Sequence, residues 1–84
     1  MYVDIEDWKN DWYGISIGLK AEEIDSLIDL LQMIKADPEQ HFHISSKYEG
    51  QGGIGDIQVY IKEEKQKDNM SLLGKALAPG AEIG

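Results

Sequence analysis

Apolar residues change their spacing twice along this chain, and those changes leave few folds open. Tyr2-Val3-Asp4-Ile5-Glu6 alternates with period two, so Val3 and Ile5 share one face. Alternation resumes at Tyr13, with Ile15, Ile17 and Leu19 opposite Gly14, Ser16 and Gly18. The polar stretch from Asp7 to Trp12 between them predicts a hairpin loop. At Ala21 the period lengthens: Ile24, Leu27, Ile28, Leu31 and Ile34 recur at three- and four-residue steps, the stripe of an amphipathic helix. Glu22 and Glu23 occupy its first turn, where the helix dipole favours acids. Asp37-Pro38 ends it, because proline forces the residue before it out of helical space. The helix is therefore expected over 21–36.

Period two then returns. A third strand is expected from His41 to Tyr48 with Phe42 and Ile44 inward, and a fourth from Asp56 to Lys62 with Ile57, Val59 and Ile61 inward. The glycines at 50, 52, 53 and 55 between them predict a turn. The expected fold is α+β, a four-stranded antiparallel sheet in the order β-β-α-β-β with one amphipathic helix packed on one face. Its second face would stay open and carry Gly14, Ser16, Gly18, His41, His43, Ser45, Gln58 and Tyr60. All 84 residues fit one domain. Residues 68–84 form a tail, either flexible, or turned over a sheet edge, or reaching a second subunit. Within it Met70, Leu73 and Leu77 lie at helical spacing before Ala78-Pro79-Gly80.

Charge narrows the partners. Sixteen acids against eight lysines and no arginine give −8, and residues 1–29 alone carry −6. Such a chain is poorly suited to nucleic acid, which is held by Lys and Arg on phosphates, and to anionic membranes for the same reason. No apolar run approaches the roughly 20 residues of a membrane span. The absence of cysteine excludes disulfides and thiolate metal sites and fits a cytoplasmic location. Excess acid also steers association with a basic partner. On the outer helix face, a step of about 100° per residue brings Glu22, Asp25 and Asp29 together, with Ser26 and Met33 alongside. A solvated face explains these acids as well as a binding site does.

Several motifs invite chemistry. Gly50-x-Gly52-x-x-Gly55 matches a nucleotide loop only in its letters, since a strand follows it and a phosphate site needs a helix N-terminus there. His41-x-His43 sets two imidazoles about 7 Å apart on one strand face, with Glu39 or Glu49 needed as a third ligand before a metal would be held. Neither a metal nor a cofactor is expected. None of the serines sits in a nucleophile motif, and no acid–base pair stands out among the carboxylates, so a non-catalytic protein is expected. Trp8, Trp12, Tyr13 and Tyr60 are residues of the kind that anchor interfaces, although packing over a small core competes for the tryptophans.

Gln40-His41-Phe42-His43-Ile44, followed by Gly53-Ile54-Gly55-Asp56-Ile57-Gln58-Val59-Tyr60-Ile61, resembles small immunity proteins of bacterial polymorphic-toxin systems. The likeness extends loosely through the helix and covers about half the chain; residues 1–13 and the tail lie outside it. It implies a non-catalytic cytoplasmic protein that binds and neutralises a cognate toxin domain. The expected contact is the acidic trio Glu22, Asp25 and Asp29, or alternatively the open-sheet trio His41, His43 and Tyr60. The competing reading is a structural or assembly module that forms a homodimer through the open sheet face or the C-terminal segment.

Overall fold

Two local hairpins flank a single helix. The computed structural model describes residues 1–72. Strands β1 (Tyr2–Asp7) and β2 (Tyr13–Gly18) pair antiparallel, with Val3 opposite Ile17 and Ile5 opposite Ile15. Helix α1 spans Ala21–Ala36, and β3 (His41–Ser45) pairs antiparallel with β4 (Asp56–Tyr60). The expected helix is found at its expected ends. The third and fourth strands are shorter than expected, stopping at Ser45 and Tyr60. The reading of Leu73 and Leu77, and the tail beyond residue 72, lie outside the described residues.

The loop of the first hairpin is closed by its own side chains. Asp7 Oδ1 accepts from the Lys9 amide at 2.8 Å, Asn10 Oδ1 accepts from the Trp12 amide at 3.1 Å, and the Trp8 amide donates to the Trp12 carbonyl at 3.1 Å. These bonds hold Lys9 and Asp11 at positive φ, 61° and 73°. Gly14 gives Trp8 a seat: a Cβ there would lie 2.9 Å from Trp8 Cζ2, so only a bare backbone admits the indole.

Helix α1 is secured at both ends. Glu23 turns back to accept the Lys20 amide at 2.9 Å and also meets the Met1 ammonium at 3.0 Å. At the other end the Asp37 amide donates to the Met33 carbonyl at 3.0 Å, and Asp37 itself is extended before Pro38. The Gln40 amide then donates to the Asp37 carbonyl at 3.0 Å, which turns the chain back into β3.

That reversal builds the core. Among the described residues only two hydrophobic side chains are buried, Ile34 at 4% exposure and Phe42 at 6%. Leu27, Leu30, Ile44, Ile57 and Val59 are half-buried around them. Burial thus concentrates on one side of α1 and one face of β3–β4, with Val3, Leu19 and Ile54 half-buried as well.

The expected four-stranded sheet does not form. The strands make two separate two-stranded sheets, β1-β2 and β3-β4. Each hairpin closes through a short local connection, whereas joining them would require register across an intervening helix, at greater loop-closure cost. Several expected inward residues are consequently open. Ile5, Ile15 and Ile17 on the first hairpin are exposed, as are Ile24, Ile28 and Leu31 on the helix and Ile61 past β4. Leu30, outside the expected stripe, is one of the seated residues instead. The helix lies on the core by the line Leu27, Leu30, Ile34, about a quarter-turn from the stripe Ile24, Ile28, Leu31.

With so small a core, one truncation should remove much of the stability. Phe42→Ala is expected to cost about 3 to 5 kcal/mol, out of the ~4 to 12 kcal/mol of a domain this size. Urea unfolding followed by circular dichroism checks this, with Gln51→Ala, in an exposed loop, within about 0.5 kcal/mol of the parent. Gly14→Ala in a Trp12→Phe background should displace the Trp8 indole and red-shift its emission. Unchanged emission would mean that Trp8 does not rest on this strand.

Candidate functional site

The helix presents its acids away from the core. Glu22, Asp25 and Asp29 are all exposed, on the side of α1 opposite Leu27, Leu30 and Ile34. None of the three is in a salt bridge among the described residues, whereas Glu23, one position from Glu22, is paired with the chain's ammonium group. The hydrogen bond from Lys20 N–H to Glu23, and then the Met1 ammonium, hold the Glu23 carboxyl below the usual carboxylate range. Three unneutralised carboxylates on one rigid element form a compact anionic surface.

The second expected trio also comes together. Strand register puts His41 opposite Tyr60, His43 opposite Gln58 and Ser45 opposite Asp56, all on the exposed face of β3–β4. The two imidazoles meet edge to face with centroids 5.0 Å apart. His43 Nδ1 lies 2.8 Å from Asp56 Oδ2, and Ser45 Oγ donates to Asp56 Oδ1 at 2.9 Å. The His43 contact first, then the Ser45 hydroxyl, hold the Asp56 carboxyl below its ordinary value. Asp56 stands between imidazole and hydroxyl and ties the first residue of β4 to two side chains of β3, so the cluster braces the two strands. Tyr60 is tied down too, its hydroxyl accepting from Gln66 Nε2 at 2.8 Å. Among the described residues no three His, Cys, Asp or Glu side chains converge as a metal site would require, and neither Glu39 nor Glu49 joins His41 and His43.

The two trios therefore occupy different layers. Glu22, Asp25 and Asp29 lie on the outer side of the helix; His41, His43 and Tyr60 lie on the outer side of the hairpin beneath it. A flat partner surface engages one or the other. The glycine-bearing loop joins β3 to β4 with no helix following it, and its Gly50 adopts φ 89°.

A third surface was only half legible in the sequence. Trp12 is 71% exposed at the tip of the β1–β2 hairpin, beside exposed Trp8 and Tyr13. The loop bonds already described fix its backbone, so the indole is presented with little backbone entropy left to lose. Trp8 lies back on the strand over Gly14 while Trp12 projects, a difference between the two tryptophans that the residue spacing did not carry.

No helix among the described residues is long and apolar enough to cross a membrane. Comparison with family models, with curated proteins and with solved structures gave no match.

The Asp56 brace has a definite pH dependence. Its carboxyl titrates lower in the folded chain than its ordinary value near 3.8. The stabilisation is thus complete above that value and is lost as pH falls through the lower folded one. An NMR titration of the Asp56 side-chain carbon should find a midpoint below 3.8 that moves back up in His43→Ala. A midpoint indifferent to that substitution would remove His43 as its cause.

Proposed function

We propose that this chain is a non-catalytic immunity-type protein that captures a cognate bacterial toxin domain in the cytoplasm through the acidic face of α1. The observation that carries this reading is the unpaired cluster of Glu22, Asp25 and Asp29 on the solvent side of a capped helix. Carboxylates without intramolecular cations remain available to a basic surface, steering encounter and fixing orientation. The resemblance of the segments 40–44 and 53–61 to immunity proteins supports the choice of a toxin as the partner. The His41, His43 and Tyr60 face is less suited to first contact, because His43 and Tyr60 are already engaged with Asp56 and Gln66.

The reading expects a toxin domain among the products of the neighbouring genes, and that product is the partner to test, co-expressed with the chain and then measured by stopped-flow association. The triple variant Glu22→Lys, Asp25→Lys, Asp29→Lys should associate at least about tenfold more slowly at low salt, with a much flatter dependence on ionic strength. Its circular dichroism should match the parent, since all three side chains are solvent-facing. Association rates and salt slope equal to the parent's would remove this face as the binding surface.

A further inference from the structure

Two apolar patches lie open on this fold, and they are complementary halves of one unbuilt core. The first is the face of the β1–β2 hairpin made by Ile5, Ile15 and Ile17; the second is the α1 stripe of Ile24, Ile28 and Leu31. These six side chains are between 43% and 61% exposed. A two-stranded hairpin with an uncovered apolar face is marginal in water, so the first hairpin needs a cover. The helix stripe has the matching need, since only its Leu27, Leu30 and Ile34 line is seated.

We propose that a second copy of this chain supplies both covers: the β1–β2 hairpin of each copy packs on the Ile24, Ile28, Leu31 stripe of the other. Twofold symmetry makes one contact generate the other, so both patches close together. Only Leu19 and Lys20 separate β2 from α1, and the Met1 ammonium is bound to Glu23 at 3.0 Å. The base of the hairpin is thereby tied to the first turn of its own helix while its apolar face remains open to a neighbour.

Net charge favours hairpin on helix over hairpin on hairpin, with Asp4 and Glu6 acting at longer range from the face opposite Ile5. Residues 1–18 carry four acids, Asp4, Glu6, Asp7 and Asp11, against Lys9. Two such hairpins face to face would repel. The helix stripe has Lys20 and Lys35 at its ends, on the same side of the helix as Ile24 and Leu31, and so offers the opposite sign to an incoming hairpin. The area is sufficient as well. Six half-open aliphatic side chains leave roughly 500 Å² of apolar surface per copy, about 1,000 Å² in a pair, at the threshold for a specific interface even before polar rim is counted.

Sedimentation equilibrium of the full chain over a wide concentration range, joined to an isotope-filtered methyl NOE spectrum of a mixed labelled sample, tests this directly. The expected mass is twice the 9.4 kDa of the chain, with intermolecular NOEs from Ile15 and Ile17 methyls to Ile28 and Leu31. A mass of one chain at every concentration overturns the proposal, whether the hairpin then stays open or folds back on its own helix. So does a dimer whose intermolecular NOEs arise elsewhere. Ile15→Glu and Ile28→Lys should each weaken dimerisation by about 100-fold or more, and an equimolar mixture of the two should recover it to within about tenfold, because the new charges meet across the interface. If either variant fails to fold, the parent measurements still decide. Failure of toxin capture leaves these outcomes unchanged, since they need no partner.

Discussion

The seat of Ile34 and Phe42 between α1 and the β3–β4 hairpin is the contact on which the remaining geometry depends. Both side chains are almost wholly removed from water, and around them the burial falls off within one residue layer. Burying two large apolar side chains and half-burying five more yields on the order of 10 kcal/mol of gross transfer free energy. That is modest against the entropy of ordering a chain of this length. The local bonds therefore matter more than they would in a larger domain. Glu23 at the helix start, Asp37 at its end and Asp56 across β3–β4 each restrict a segment without using core volume. The same economy explains why the first hairpin, held by its own loop and by the Met1–Glu23 pair, has little share in the core.

The small core also dictates which surfaces face outward. Seating α1 by Leu27, Leu30 and Ile34 turns Glu22, Asp25 and Asp29 to solvent and leaves Ile24, Ile28 and Leu31 on the flank. One rotation of the helix about its axis thus sets both an anionic face and an apolar flank. Had the helix rested on the middle of its apolar arc, neither line would be fully seated and the acids would lie nearer the sheet. The β3–β4 hairpin behaves in the same way: placing Phe42 and Ile44 inward sends His41, His43 and Ser45 outward, and Asp56 reaches across to brace them.

Local structure was written plainly in the residue spacing. The helix from Ala21 to Ala36 follows from the Ile24-to-Ile34 period and the Asp37-Pro38 stop, and all four strands begin where alternation places them, with β3 and β4 ending early at Ser45 and Tyr60. Spacing reports which face of an element is apolar; it carries no information on what covers that face. A stripe broad enough to cover four strands looks the same whether the second pair of strands arrives from its own chain or not. That is why the single sheet was expected and two sheets were found. The acidic trio was legible because helical angle alone brings it together, and the shared outward face of His41, His43 and Tyr60 because period two places them there. The Asp56 tie to His43 was not, since Asp56 read simply as the first residue of a strand, and nothing in the sequence gives the stagger that sets it opposite Ser45.

The proposed partner capture and the proposed self-association would make separate demands on the same helix, at different angles around its axis. The acids stand on the outer side of α1, while the Ile24, Ile28, Leu31 stripe is turned toward the flank, so covering the stripe leaves Glu22, Asp25 and Asp29 open. A twofold pair would then carry two such faces on one rigid body. Their fields add at distances beyond a Debye length only weakly, so each would steer its own partner. A toxin with two basic lobes would gain avidity from the pair if the spacing matched, and nothing if it did not. Bringing together two chains of −8 costs electrostatic energy that the lysines at the ends of the stripe offset only in part. Association should therefore tighten as salt screens the net repulsion, while capture of a basic partner weakens under the same change. Opposite responses to one variable distinguish an apolar contact between like-charged chains from an ionic contact between unlike ones.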